Sequence, residues 1–227
     1  MAEVAAGTLV VFSDIGCPWS HAAVYRLHDA RRRLGLDGRV AFDHRAFPLE
    51  LINSQPTPRL DLDAEIPVAG ALAPRAGWQL WQAPDSQYPV TTLPALEAVQ
   101  AAKEQSLEAS EELDRALRRA FFGESRCISM RHVILEVASE CDALELQPLA
   151  SALDNGRARR SVIEQWQARD AYGVRGSTHV FLPDGTDVFT PGVEIHWERG
   201  HGEGFPVVDR NDPAAFDDIL RRAAGAT

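Results

Sequence analysis

The hydrophobic and polar positions of the first fifty residues predict two strands joined by a helix. Residues 8–13 are apolar and rich in β-branched side chains, without polar alternation, which is typical of a strand buried on both faces of a sheet. From Pro18 to Gly35, apolar residues recur at helical spacing, and proline and glycine mark the two ends. Residues 39–47 alternate with period two, as a strand does. Two strands connected by a helix pair in parallel through a right-handed crossover.

The rest of the chain predicts a block of helices followed by a hairpin and a last helix. Residues 48–94 are rich in proline, asparagine, glutamine and aspartate and have no sustained period, which predicts a long ordered loop with short helical turns. Helical patterns then cover 94–105, 107–122, 129–140, 146–153 and 157–172. Two short strands, 179–182 and 187–189, flank a Pro-Asp-Gly turn, and a helix is predicted over 213–223.

This order of elements, β-α-β, helices, then β-β-α, is that of the thioredoxin fold. We therefore predict an α/β protein with a thioredoxin fold and an all-helical insertion between its second and third strands. The thioredoxin-fold domain is assigned to residues 1–60 and 173–227, and the helical insertion to residues 61–172.

The composition and net charge of the chain exclude several kinds of partner. The chain is 45% hydrophobic and 25% charged, as ordinary globular proteins are. Its formal net charge of −10 repels phosphate backbones and anionic lipid headgroups, so neither nucleic acid nor a membrane is expected as a partner. The sequence has no apolar run of the roughly 18 residues that a spanning helix needs, and its first residues do not resemble a signal peptide. We therefore expect a cytoplasmic protein.

Cys17 is the main candidate for chemistry. The chain has three cysteines, an odd number and too few for a secreted disulfide framework. Cys17 directly follows the first predicted strand and begins the first helix, where unpaired backbone N–H groups favour an anion. Such a position lowers a thiol pKa from about 8.5 to roughly 3.5–7.5, so we expect Cys17 to be largely ionised at neutral pH. Cys127 and Cys141 fall in the helical block and are expected to be ordinary free thiols.

The segment around Cys17 resembles a known family. Residues 12–20, FSDIGCPWS, are similar to the active-site segment of the DsbA-like thioredoxin-fold proteins, in particular the FrnE-like branch of dithiol-disulfide isomerases. The resemblance continues through residues 45–51, 122–129 and 173–181 and so covers most of the chain in the same order. It implies thiol-disulfide exchange with Cys17 as the nucleophile, and with Pro18 and Trp19 at the substrate-binding edge.

Ser20 departs from the Cys-Pro-x-Cys pattern of that family. Without a second thiol three residues after Cys17, a mixed disulfide cannot be released by internal attack. The implied chemistry is monothiol exchange on a small thiol or protein disulfide, completed by an external thiol such as glutathione or mycothiol. The Ser20 hydroxyl can donate a hydrogen bond to the Cys17 thiolate. No resident cofactor is expected.

Thr178 is the second departure. By resemblance it takes the place of the cis-proline that packs beside the nucleophile, and with Ser177 it would flank the bound substrate. A cis bond before a residue other than proline costs about 3–4 kcal/mol. We therefore expect the Ser177–Thr178 bond to be trans unless neighbouring contacts hold it in the cis form.

Two other functions remain open. Kappa-class glutathione transferases and 2-hydroxychromene-2-carboxylate isomerases carry a similar Ser-Pro-x-Ser on a similar fold. A small-thiol-dependent transferase or isomerase, with Cys17 supporting the thiolate of a bound thiol, is therefore the second hypothesis. The third is a non-catalytic binding module on the same fold.

The remaining candidates are interpreted as structural. His21 lies on the same helix face as Cys17 but is expected to be solvated. Three further histidines match no standard spacing of metal ligands, so no metal site is predicted; they are His179, His196 and His201. Three aromatic residues of the irregular segment are expected to anchor it to the core; they are Trp78, Trp81 and Tyr88. The oligomeric state stays open, with a homodimer as one option.

Overall fold

A four-stranded mixed sheet lies at the centre of the computed structural model, which describes residues 4–225. Strand β1 (Thr8–Ser13) runs parallel to β2 (Ala41–Ala46) and is connected to it by helix α1 (Pro18–Arg33). On its other side β1 pairs with the antiparallel strand β3 (His179–Phe181), which in turn pairs with β4 (Asp187–Phe189). The sheet order is β2-β1-β3-β4, so β1 is a central strand, as its apolar sequence predicts.

Both faces of β1 are buried. Leu9 and Val11 belong to a cluster that also contains Leu27 of α1 and residues of the last helix, α9 (Ala214–Gly225). Val10 and Phe12 point to the opposite face and pack in a second cluster. Since successive side chains of a strand alternate between the two faces, a strand covered on both sides must be apolar throughout.

The helical block lies between β2 and β3, where the sequence predicts it. Its helices are α2 (Leu49–Ile52), α3 (Arg59–Leu72), α4 (Leu93–Lys103), α5 (Leu107–Glu124), α6 (Arg131–Ala138), α7 (Leu146–Asp154) and α8 (Arg157–Tyr172). Two short turns of 3-10 helix, Pro74–Ala76 and Asp85–Gln87, separate α3 from α4. The predicted thioredoxin fold with an all-helical insertion is confirmed.

Helix α3 corrects the sequence prediction for residues 48–94. The segment was expected to form a loop with short helical turns, but Arg59–Leu72 is a helix of 14 residues. It contains Pro67 in its interior, and proline normally ends or kinks a helix. Burial of Leu62, Ile66 and Ala69 on one face of the helix stabilises it despite that residue.

A second sheet of two strands was not predicted. Strands β5 (Val193–Trp197) and β6 (Pro206–Asn211) form an antiparallel hairpin between β4 and α9, with a bulge at Glu194/Ile195. At its base, Gly192 has a positive φ of 66°, and a Cβ there would lie 2.2 Å from the Asp212 carbonyl oxygen. Only glycine fits this position, which brings the two ends of the hairpin together.

A buried arginine joins the helical block to the end of β1. The Arg118 side chain of α5 is 1% exposed and donates from Nε to the Asp114 carboxylate at 2.7 Å. It also donates to the Asp14 carbonyl oxygen at 3.0 Å and to the Ser13 hydroxyl at 2.8 Å. These bonds fix the backbone that leads from β1 to Cys17.

No helix within residues 4–225 is long and apolar enough to span a membrane.

Candidate active site

Cys17 occupies the N-cap position of α1, at the end of the turn that leaves β1. Its thiol is 5% exposed and donates to the carbonyl oxygen of Ser177, 3.8 Å from Sγ. Ser177 lies in the loop before β3, which the pairing of β3 with β1 brings next to the start of α1. The sheet order therefore brings together two segments 160 residues apart in the sequence.

Asp14 shapes the turn that presents Cys17. One oxygen of its buried carboxyl group accepts the N–H of Gly16 at 2.7 Å, and the other accepts the N–H of Leu49 at 2.7 Å. Burial raises the pKa of this carboxyl group, although these bonds oppose the shift. Sequence reasoning did not select Asp14; an aspartate two residues before a glycine N–H is the usual signal of such a turn.

Three hydroxyl groups form a buried network beside Cys17. Thr178 Oγ1 donates to Ser20 Oγ at 2.7 Å, and the hydroxyls of Ser20 and Ser177 are 2.6 Å apart. The backbone N–H of Asp14 donates to the Ser177 hydroxyl at 2.9 Å. The predicted site residues Cys17, Ser20, Ser177 and Thr178 therefore meet in one place.

The Ser177–Thr178 peptide bond is cis, so the expectation of a trans bond is wrong. The physical reason lies in the contacts on both sides of the bond. Ser177 is held through its hydroxyl by Ser20 and Asp14. Thr178 is bonded through its own hydroxyl to Ser20, and its carbonyl oxygen accepts the N–H of Thr190 at 2.9 Å. Neighbouring structure thus determines the geometry of this bond, which the local sequence does not show.

Cys17 lies in the wall of a cavity of about 900 Å³, here called the active-site cavity. Its walls come from the start of α1, from α3, from the 177–178 loop and from β5. Pro18 and Trp19, predicted to shape the substrate edge, both line it. The side chains of Ile195 and Trp197 of β5 also line it. A cavity of this size accommodates a small organic ligand.

The pKa of the Cys17 thiol is raised, so the expectation that Cys17 is largely ionised at neutral pH is wrong. Burial of the sulfur is the main cause, and the negative charge of Glu65 adds to it. Hydrogen bonds from the backbone and hydroxyl of Ser20 and from the hydroxyl of Ser177 act in the opposite direction. The start of α1 does supply hydrogen-bond donors to the sulfur, but the residues that bury Cys17 exclude the water that would solvate a thiolate.

Glu65 of α3 is the site residue that sequence reasoning missed. Its carboxyl group is 7% exposed, lines the active-site cavity and accepts the indole N–H of Trp19 at 2.9 Å. It forms no ion pair with any residue in the range 4–225. Burial, together with the charge of Asp61, raises its pKa to about 7, although the bond from Trp19 opposes this. Its segment was interpreted as a loop, so no pattern placed it near Cys17.

His21 does not face solvent, and that prediction is wrong. Its ring is 4% exposed and lies between the rings of Phe122 and Trp78, at centroid distances of 4.8 and 4.4 Å. Burial lowers the pKa of His21 to about 4, so the ring is neutral at pH 7. It does not line the active-site cavity. Trp78 is partly buried against the core here, in the anchoring role expected of it.

His179 and His196 are each bonded to an aspartate on the strand paired with their own. His179 bonds Asp187 at 2.7 Å, and His196 bonds Asp209 at 2.8 Å. In the described part of the chain, no group of three or more His, Cys, Asp or Glu side chains is arranged to hold a metal ion. All three cysteines are free thiols, and neither Cys127 nor Cys141 lines the active-site cavity.

Comparison with known proteins supports the fold and gives a family. The sequence model of the DSBA-like thioredoxin domain matches residues 8–195. No curated protein matches the chain. Among solved structures, the probable DsbA oxidoreductase SCO1869 from Streptomyces coelicolor is similar, with a TM-score of 0.65, 18% identity and coverage of 96% of this chain and 90% of that one.

Two further solved structures show the same architecture. The cytosolic disulfide reductase DsbM from Pseudomonas aeruginosa with GSH has a TM-score of 0.58 and 16% identity, and 96% of each chain is covered. A 2-hydroxychromene-2-carboxylate isomerase has a TM-score of 0.58 and 15% identity, with 80% of this chain and 88% of that chain covered. At such identities the similarity concerns the fold.

Proposed function

Because the chain belongs to the DSBA-like thioredoxin domain family, we propose that it is a monothiol thiol-disulfide oxidoreductase with Cys17 as its nucleophile. One observation carries the proposal: the Cys17 thiol lines a cavity of about 900 Å³, whereas the other two cysteines do not. Ser20 stands where a resolving thiol would be needed. The reaction must therefore be completed by a thiol from outside the chain.

The proposed reaction has two exchange steps. In the first, Cys17 loses its proton and its sulfur attacks one sulfur of a bound disulfide; the S–S bond breaks, and the other half leaves as a thiolate that takes up a proton. In the second, an external thiol attacks the substrate-derived sulfur of the mixed disulfide; the bond to Cys17 breaks, and Cys17 leaves as a thiolate that takes up a proton. Overall one substrate disulfide and one external thiol give one free thiol and a disulfide between the external thiol and the other half of the substrate.

The residues around Cys17 have defined parts in these steps. Attack requires the thiol to give up its bond to the Ser177 carbonyl oxygen and to lose its proton. The thiolate can then accept hydrogen bonds from the hydroxyls of Ser20 and Ser177, both of which lower the thiol pKa. Pro18, Trp19 and Thr178 line the cavity beside the sulfur and would contact the substrate. We propose that the exchange takes place in the cytoplasm, where small thiols are kept reduced.

Intact-mass measurement tests the proposal. Wild-type protein incubated with an oxidised small thiol should gain one thiol as an adduct, and added reduced thiol should remove it. Cys17→Ala should take up none. The matched control is Cys141→Ala, which removes another buried free thiol and should leave the adduct unchanged. Equal adduct on Cys17→Ala and wild type would show that Cys17 is not the nucleophile.

A second candidate function is supported by the protonation of Cys17. Because the pKa of this thiol is raised, it can act as a hydrogen-bond donor to the thiolate of a bound small thiol. That is the role expected in a small-thiol-dependent transferase or isomerase. Conjugation of a reduced thiol to an aromatic electrophile should then survive in Cys17→Ser, whereas disulfide exchange should not. If neither activity is found while a thiol still binds, the hypothesis of a binding module remains.

A further inference from the structure

Two carboxyl groups that line the active-site cavity have no ion-pair partner among residues 4–225. Asp61 and Glu65 lie one turn apart on α3 and both line the cavity. Within the described residues neither of them forms an ion pair; the neighbouring Asp63, which does not line the cavity, is the one paired with Arg59. Glu65 is bonded to Trp19, two residues from Cys17, and its charge acts on the Cys17 sulfur. The negative side of the cavity is therefore the side next to the nucleophile.

A third carboxylate also lines the cavity. This is Glu194 of β5, which forms an ion pair with Arg210 of β6 at 3.3 Å. It adds less to the field than the two carboxyl groups of α3, because its partner is close and both side chains are exposed.

The basic side chains that line the cavity are not paired with these carboxyl groups. Arg26 is bound through Nε and Nη2 to the carbonyl oxygen of Leu72, and its guanidinium lies over the ring of Phe216. Arg26 keeps its positive charge, but it is not among the charges that shift the pKa of Glu65 or of Cys17. His201 is on the exposed tip of the β5–β6 hairpin. The net charge of −10 over the whole chain reinforces the negative field.

From this arrangement we propose that the active-site cavity selects substrates by charge and favours small thiols and disulfides that carry an ammonium group and no carboxylate. An ammonium group near Asp61 and Glu65 can donate charge-assisted hydrogen bonds to their carboxylates. A thiol of net negative charge is repelled by the negative charge beside the sulfur; glutathione is an example, because its two carboxylates outweigh its one ammonium group. This inference rests on the exchange reaction proposed above and names its substrate class.

The test uses two methanethiosulfonate reagents of similar size and opposite charge, aminoethyl and sulfonatoethyl. Each transfers its thioalkyl group to a cysteine thiolate and releases methanesulfinate, so the reaction reports on Cys17 whether or not the protein is an exchange enzyme. Cys127 and Cys141 are replaced by serine, and each rate is divided by the rate with free 2-mercaptoethanol. After this correction, at about pH 8, above the pKa of Glu65 of about 7, the cationic reagent should modify Cys17 at least about tenfold faster than the anionic one, since carboxylates close to the sulfur attract a cation and repel an anion.

Asp61→Asn and Glu65→Gln should each reduce the corrected ratio, and the double variant should bring it close to one. Asp63→Asn is the matched control, because it removes one negative charge from the same helix without changing the lining of the cavity; it should leave most of the ratio in place. A corrected ratio near one in the wild-type background, or an equal effect of Asp63→Asn and Asp61→Asn, would overturn the proposal.

A parallel measurement separates this proposal from the proposed function. Cystamine, which is cationic, and dithiodipropionate, which is anionic, are compared as disulfide substrates by intact mass. Faster adduct formation with cystamine supports both proposals, and equal corrected rates refute charge selection alone. If the methanethiosulfonate reagents show the bias but neither disulfide forms an adduct, the charge preference of the cavity stands and the exchange function fails.

Discussion

Replacing Glu65 by glutamine should make the protein more stable at alkaline pH than the wild type. Glutamine keeps an oxygen that can accept the Trp19 indole N–H, now at 2.9 Å from Glu65 Oε1, and has nearly the same shape. The substitution therefore changes mainly the ability of this side chain to ionise.

The magnitude follows from the pKa of Glu65, which is about 7 in the folded protein against an ordinary value of 4.5. A difference of about 2.5 units corresponds to about 3 kcal/mol. Since the pKa of Glu65 is higher in the folded than in the unfolded protein, the contribution of its protonated form to the free energy of unfolding is fully present below about pH 4.5. Between about pH 4.5 and 7 the unfolded chain gives up this proton and the folded chain keeps it, so the free energy of unfolding falls by about 1.4 kcal/mol per pH unit. Above about pH 7 the loss is complete.

Urea unfolding of wild type and Glu65→Gln, at steps of about one unit from about pH 5 to about pH 8, measures this effect. The difference between the two proteins cancels the titration of every other group that the substitution leaves unchanged. The difference should move in favour of the variant by about 3 kcal/mol across this range and then become constant.

Glu97→Gln is a suitable control, because Glu97 is also 7% exposed but is paired with Arg159 at 2.8 Å. Loss of that ion pair should not stabilise the protein at any pH. The reasoning on Glu65 would be refuted if the stability difference between Glu65→Gln and wild type were the same at about pH 5 and at about pH 8.

Three other substitutions test the site and its support. Ser20→Cys places a second thiol three residues after Cys17, so the variant should form an internal disulfide, seen by intact mass, and its small-thiol adduct should become transient. Arg118→Met leaves the Asp114 carboxylate buried without its cation and should cost about 3–5 kcal/mol in urea unfolding; adding Asp114→Leu should recover part of that loss. Phe122→Ala removes a core side chain that is 1% exposed and should cost about 3–5 kcal/mol in the same assay.

The parts of the fold that follow from local pattern were predictable. The apolar segment of β1, the helical period of α1 and the proline and glycine at its ends are all signals within a few residues. The same signals placed Cys17 at the start of α1, and the order of elements then gave the fold class. The Pro-Asp-Gly turn between β3 and β4 was equally local.

The parts that depend on packing between distant segments were not predictable. Helix α3 contains Pro67, and because proline usually ends a helix, the segment was predicted to be a loop. Glu65, which lies on this helix, was therefore not predicted as a site residue. The β5–β6 hairpin has five- and six-residue strands with a bulge that interrupts the alternation. Both elements line the active-site cavity. The protonation of the Cys17 thiol was therefore predicted wrongly. The N–H donors at the start of α1 follow from the local sequence, but the burial of the sulfur depends on distant segments.

The structure links the reactivity of Cys17 to the charge of what enters the cavity. Two effects raise the pKa of this thiol, burial and the negative charge of Glu65, and a bound ammonium group changes the second. Paired with Glu65, such a group offsets the carboxylate charge beside the sulfur, so the thiol loses its proton more readily when a cationic substrate is present than when the cavity is empty. A carboxylate-bearing substrate has the opposite effect and disfavours the thiolate that must attack it. Charge selection and activation of the nucleophile are thus consequences of the same two carboxyl groups of α3, and a thiol that is protonated in the empty cavity is compatible with exchange on the substrate class that these groups favour.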